Sequence, residues 1–160
     1  MLNYHNMAEI KTLDAKGISF IGDEEGLILH PYLDAVGIPT IGYGNTYYEN
    51  GIKVTMKDPA ITKERAVSLF KNILTHYEAA VWSVTRDDIN QRQFNALVSL
   101  CYNIGVAGFK GSTVVKRVNA NPNDVTIKQA FEMWKNAGNK KGLLLARRKR
   151  EWWMYFNTGL

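Results

Sequence analysis

Disulfides, metal-ligand motifs, repeats and long apolar runs are all missing from this 160-residue chain, which has one cysteine and four prolines. A lone Cys101 forms no intramolecular disulfide, so the chain tolerates a reducing compartment. Helical stepping places Cys101 with Phe94, Leu97 and Val98 on one apolar face, where it reads as core rather than as a nucleophile. His5, His30 and His76 show no HxxxH or HExxH spacing and no cysteine partner. No metal site or cofactor is therefore legible. Serine nucleophile elbows, phosphate loops and dinucleotide fingerprints are equally absent. The opening "MLNYHNMAEIKTLDAKGISFIG" has neither the basic-then-apolar pattern of a secretory signal nor a membrane span. The expectation is a protein made soluble in the cytosol.

What is present is enough to bury a core. Residues of hydrophobic type make up 46% of the chain, with four tryptophans, eight tyrosines and six phenylalanines among them, which excludes a disordered chain. The net charge of +5 favours acidic partners: nucleic acid, an anionic membrane surface or an acidic wall polymer. Its sign does not choose among them.

The pattern predicts a first helix from Met7 to about Gly22, with Ile10, Leu13 and Ile21 on one side and Gly17 as a weak point. Between Leu27 and Val54, short apolar runs alternate with turn residues, which predicts a small antiparallel sheet turning near Asp34 to Gly37 and again near Glu49 to Gly51. Pro31 and Pro39 belong at edges or strand starts. A long helix follows, capped by Thr62 and striped with Ala66, Phe70, Ile73, Tyr77, Ala80 and Val84. Asn90 can cap a second that stops at Gly105, Ser112 a short third, and Asp124 a fourth ending near Gly138; the last begins near Gly142 and runs through "LLLARRKREWWMYF". The organisation is a small sheet-bearing lobe followed by a helical lobe.

The stretch "EEGLILHPYLDAVGIPT", residues 24–40, sets carboxylates at the edges of an apolar run. Glycosidic cleavage needs two such groups in different environments, a protonated acid for the leaving oxygen and an ionised carboxylate to steady positive charge or activate water. Glu25 at a helix end beside apolar residues suits the neutral form, and Asp34 in a polar turn suits the charged one. The residues alone equally allow an uncommitted Glu25 and an ordinary turn aspartate at 34.

"EGLILHPYLDAVGIPTIGYGNT" resembles the active-site hairpin of the phage-type lysozymes, the endolysins of glycoside hydrolase family 24. In that family a Glu-Gly ending the first helix is followed nine residues later by an Asp, and six after that by a Thr leading into "TIGYG". Those positions are Glu25, Asp34 and Thr40 here. "ITKERAVSLF", "ALVSLCYNIGVAGFKGST" and "AFEMWKNAG" match further segments in order, so the likeness runs from about residue 18 to 151. Asn45 stands where the family usually has a His after "TIGYG", and "GLLLARRKRE" alters the spacing of the family's "GL..RR" start to the final helix.

The resemblance implies a predominantly helical α+β, lysozyme-like fold. It would be a single domain over residues 1–160, with a small hairpin lobe at 18–60 joined by a long helix to a helical lobe at 61–160. It implies a muramidase that hydrolyses, with inversion, the β-1,4 bond between N-acetylmuramic acid and N-acetylglucosamine in peptidoglycan and lyses the host. Glu25 would be the general acid, Asp34 the stabilising or water-activating carboxylate, and Thr40 the holder of that water. Glu24 is the rival of Glu25 by helical stepping, and the register of Gly26 decides for Glu25. By resemblance to an amide-bearing cleft position Asn103 would hydrogen-bond substrate sugar; on the residues alone it equally reads as an exposed polar residue or a C-terminal cap.

On its helix Arg148 shares a face with Leu144, Trp152 and Tyr155, while Arg147, Lys149 and Arg150 spread around the other sides. Either it pairs with Glu25 or a neighbouring acid, with Arg147 as the fallback, or it reaches the surface. Trp134, Trp152 and Trp153 read as core more readily than as a sugar platform. The competing reading is a membrane-active or nucleic-acid-binding protein working through the basic C-terminal helix. On the enzymatic reading the partner is the glycan strand, with no nucleic acid, no stable membrane insertion, at most weak contact with anionic surfaces, and a monomer. Such an enzyme waits in the host cytoplasm and reaches the wall through a separate pore.

Overall fold

The computed structural model describes residues 9–157. The fold is α+β and predominantly helical. In chain order it has α1 (Ala15–Glu25), β1 (Ile28–Leu33), β2 (Pro39–Gly42), α2 (Lys63–Val84), α3 (Gln91–Ile104), α4 (Val106–Lys110), α5 (Thr113–Ala120), α6 (Ile127–Glu132) and α7 (Leu145–Phe156).

The first helix starts later and ends later than its apolar pattern suggests. The Met7 start and His5 lie outside the described residues, and residues 9–13 are non-helical. Asp14 Oδ1 accepts from the Gly17 N–H at 2.9 Å, nucleating α1 at Ala15. Gly17 is thus a first-turn residue rather than a mid-helix flaw. A Cβ there would sit 2.5 Å from Asn95 Cγ, and Asn95 Nδ2 donates to the same Asp14 oxygen at 2.8 Å. Gly17→Ala should cost about 1–3 kcal/mol, lowering Tm by about 2–12 °C. A thermal melt within 1 °C of wild type would show that Asn95 moves aside freely.

The chain divides into two compact units. One is Ile18–His76; the other comprises the residues up to Gly17 and those from Tyr77 on. In the first, β1 and β2 pair antiparallel, with Tyr32 opposite Thr40 and Leu33 opposite Pro39, and a register shift between Ile28 and Tyr32. Pro31 falls in that irregular stretch and Pro39 opens β2, so neither removes a regular ladder bond. The second turn, near Glu49 to Gly51, closes only a single bridge between Tyr47 and Lys53. Ile21, Ile41, Val54, Ala66, Leu69 and Phe70 form the core of this unit, with Tyr43 stacked on Phe70. Thr62 Oγ1 accepts from Arg65 N at the start of α2, as its sequence suggests.

In the second unit α3 packs on α7, and α6 on both α5 and α7. Asn90 and Gln93 form a reciprocal capping box on α3, which ends at Gly105 with φ +92°. Phe94, Leu97, Val98 and Cys101 are all buried, and burial pushes the Cys101 thiol up to about 12. That is the condition of an inert core thiol.

Ser112 caps α5 through Val115 N. The fourth predicted helix is corrected: α6 begins at Ile127 and stops at Glu132, six residues short of Gly138. Beyond it Leu144 N–H donates to Lys135 O, and Gly142 N–H to Asn136 Oδ1, both at 2.8 Å, closing a loop that competes with helix. This loop also delays α7 to Leu145.

Candidate active site

Gly26, at φ +77°, donates to Gly22 O at 2.9 Å, a left-handed cap that stops α1 on Glu25. The chain enters β1 two residues later, leaving Glu25 half-buried at the helix end. Asp34 then opens the hairpin turn. Its Oδ1 accepts from Val36 N at 2.9 Å and Ile38 N at 2.8 Å, and its N–H donates to Ile38 O at 3.0 Å. One carboxylate oxygen is thereby fixed by backbone, which orients the other.

Thr40 is buried at 3% exposure, and its hydroxyl donates to Ile38 O at 2.8 Å. The donor half of a water-holding role is occupied, so Thr40 offers lone pairs only. The turn therefore fastens Asp34 and Thr40 to the same residue, Ile38.

Tyr32 is a member of this group that reasoning from sequence passed over. It pairs with Thr40 across the sheet and precedes Asp34 by two. Burial raises its phenol, and the charges of Asp34 and then Glu25 push the same way, so the hydroxyl lies in the field of both carboxylates. Its position two before Asp34 on an alternating strand was the available signal.

Against the same turn lies an open cavity of about 330 Å³ lined by Gly37, Ile38, Pro39, Thr46, Tyr47, Lys53 and Val54. Asn45, buried, bonds Ile41 in both backbone directions at 2.9 Å and donates through Nδ2 to Leu69 O at 3.4 Å. It ties the segment after β2 to α2 and supplies a structural bond of its own.

In the other unit Arg148 is wholly buried. Its acid there is Glu151, with Nε 2.7 Å from Oε1. Nη2 donates to Asn103 Oδ1 at 2.7 Å and Nη1 to Trp134 O at 3.4 Å. Glu151 also accepts from Ser99 Oγ at 2.5 Å and from Arg147 Nε at 3.3 Å. Burial pushes the Glu151 carboxyl up, while Arg148, Ser99 and Arg147 pull it back.

The expectation that Arg147 lies away from the buried face is corrected, since both arginines turn inward on Glu151. That acid was readable as the residue three and four places after them. Asn103 is half-buried and held by Arg148 rather than serving as a helix cap. Among the described residues no group of three or more His, Cys, Asp or Glu side chains could hold a metal.

The family model "Phage lysozyme" matches residues 22–151, a span that includes Glu25, Asp34, Thr40, Asn103 and Arg148. The chain belongs to the phage lysozyme family. The endolysin of Salmonella phage P22 is 41% identical over 139 residues, covering 87% of this chain and 94% of that one. A crystal structure of a P22 lysozyme mutant superposes with a TM-score of 0.84 at 38% identity, covering 91% and 99% of the two chains.

An endolysin from Escherichia coli O157:H7 phage FAHEc1 gives 0.84 at 35%, covering 92% and 95%. The muramidase domain of SpmX from Asticaccaulis excentricus gives 0.75 at 30%, covering 91% and 98%. In this phage lysozyme α7 buries one face, that of Arg147, Arg148, Glu151 and Tyr155, and leaves Lys149, Arg150 and Trp153 exposed. Trp153, expected in the core, is instead 60% exposed, because it falls on the face opposite Glu151 and Tyr155. Trp134 is half-buried, its ring where a Cβ on Gly108 would lie at 3.2 Å. No helix among the described residues is long and apolar enough to cross a membrane.

Proposed function

We propose that this chain cuts the β-1,4 bond between N-acetylmuramic acid and N-acetylglucosamine of peptidoglycan with inversion, as an endolysin that lyses the host cell. The class, a peptidoglycan-hydrolysing glycoside hydrolase, follows from family membership. The observation that supports the residue roles is two carboxylates in unlike settings on consecutive elements: Glu25 at the end of α1 and Asp34 locked in the turn of the hairpin that follows.

In this reading Glu25 donates a proton to the glycosidic oxygen as the C–O bond breaks. Asp34, through the oxygen the turn leaves unused, steadies the oxocarbenium character and takes a proton from the attacking water. Thr40 accepts a hydrogen bond from that water, its own proton resting on Ile38 O. Asn103, supported by Arg148, contacts the glycan. The substrate places the action at the cell wall. Synthesis in the host cytoplasm, release through a separately made pore and action as a monomer complete the proposal. Nucleic acid, cofactors and membrane insertion have no part in it, and contact with anionic surfaces through α7 is weak.

Asp34→Asn tests the charge apart from the turn, because an amide oxygen still accepts from Val36 and Ile38. Turnover on purified peptidoglycan should fall at least about 100-fold with Tm unchanged. Near-normal turnover would remove Asp34 from the mechanism.

A further inference from the structure

Glu151, enclosed on α7, and Asn103, half-buried near the end of α3, are linked by a single side chain. Arg148 reaches Glu151 through Nε at 2.7 Å and through Nη2 at 3.3 Å, and the same Nη2 donates to Asn103 Oδ1 at 2.7 Å. Ser99 Oγ at 2.5 Å and Arg147 Nε at 3.3 Å hold the carboxylate from its other sides. The guanidinium is also fixed at Nη1 by the Trp134 carbonyl.

This chain determines something that Asn103 alone does not. A guanidinium carries donors and no acceptor, so only the amide oxygen can face it. Flipping the amide would set NH₂ against N–H at hydrogen-bond distance. The oxygen of Asn103 is therefore spent inward and its NH₂ is the part turned away.

We infer that Glu151 is a positioning residue for substrate: by anchoring Arg148 it fixes Asn103 with its amide N–H outward, as a donor to an acceptor oxygen of the glycan strand. That oxygen could belong to an acetamido carbonyl or to the carboxylate of the muramic lactyl group. A hydroxyl offering its proton would have to share Oδ1 with the Arg148 guanidinium. The inference rests on the glycan-cleaving reading and adds a polarity to it.

The test is KM and kcat of the full chain on solubilised peptidoglycan strands, with Tm measured in parallel. Asn103→Asp keeps an oxygen on Arg148 and gains charge complementarity, so Tm should hold or rise. It donates nothing outward, so KM should rise about 10-fold with kcat within about twofold. Glu151→Gln, or Arg148→Lys should the first fail to fold, should raise KM when Asn103 is present and not when it is Asn103→Ala. A purely structural network would give equal effects in both backgrounds.

A wild-type KM in Asn103→Asp, a lowered Tm in that variant, or equal effects in both backgrounds would each overturn the inference. Glu25→Gln is run beside them: if it is inactive while Asn103→Asp behaves as wild type, the polarity argument alone falls. If Glu25→Gln is fully active, the underlying reading falls with it. Strands carrying reduced or amidated lactyl carboxyl groups separate the two oxygens, since only the carboxylate contact would respond to that change.

Discussion

Glu25→Gln should lower the rate of peptidoglycan cleavage by about 10²–10⁴-fold while leaving Tm within a degree or two. Glutamine matches the carboxyl in size and keeps an oxygen acceptor, but it cannot deliver a proton to a leaving alkoxide. Glu25 ends α1, where the Gly26 cap rather than the side chain stops the helix, so the substitution leaves the helix end intact. Glu24→Gln serves as the control. It shares the helix end and the half-buried setting, and its activity should stay within about threefold of wild type. Turbidity clearing of outer-membrane-permeabilised cells and reducing-end release both read the difference. A dead Glu24→Gln beside an active Glu25→Gln would reassign the acid.

Glu151→Ala should be the most damaging single change to stability. Arg147 at 7% exposure and Arg148 at 0% both point at this carboxylate, which is itself fully enclosed. Removing it takes from two buried guanidiniums the carboxylate they share and from the Ser99 hydroxyl its acceptor. Breaking a buried pair from one side costs about 3–5 kcal/mol, a large part of the roughly 5–15 kcal/mol that holds a domain together. Urea denaturation should show the midpoint falling with an unchanged slope. Replacing Arg147, Arg148 and Glu151 together by apolar residues of similar volume should cost less than the single change, because no charge is then left unpaired. A Glu151→Ala midpoint close to that of wild type would mean that water or another acid already compensates the arginines.

Local capping chemistry made much of the helical unit readable. Asn90 with Gln93, Ser112 and Gly105 each satisfy end groups within three or four residues, so their effect is written in the nearby sequence. The misjudged boundaries have longer-range causes. Asp14 sets the start of α1 and also holds Asn95, which lies 81 residues away in sequence. Leu13 N–H donates to Glu78 at 2.6 Å, tying the preceding segment to α2 rather than extending a helix.

At the other end, Asn136 and the left-handed Gly138 and Gly142 build a closed loop where apolar spacing suggested helix. The five-residue α4 is too short to leave a periodic signature.

The hairpin was legible for a different reason. Asp34 and Gly37 are turn residues whose spacing fixes one conformation, Thr40 follows in β2, and the structure shows the bonds that spacing requires. Tyr32 and Glu151 stayed hidden because each looks ordinary on its own element. One is an aromatic in a strand and the other an acid in a basic helix. Their importance appears only once the cross-strand register with Thr40, or the convergence of Ser99, Arg147 and Arg148, is seen.

Mass spectrometry of the soluble fragments released from purified peptidoglycan, by the wild-type chain and by Glu25→Gln side by side, is the most direct measurement. Hydrated muropeptides ending in reducing N-acetylmuramic acid, from wild type alone, are the expected result. Anhydro ends, or the same fragments from Glu25→Gln, would contradict water-dependent cleavage with Glu25 as its acid.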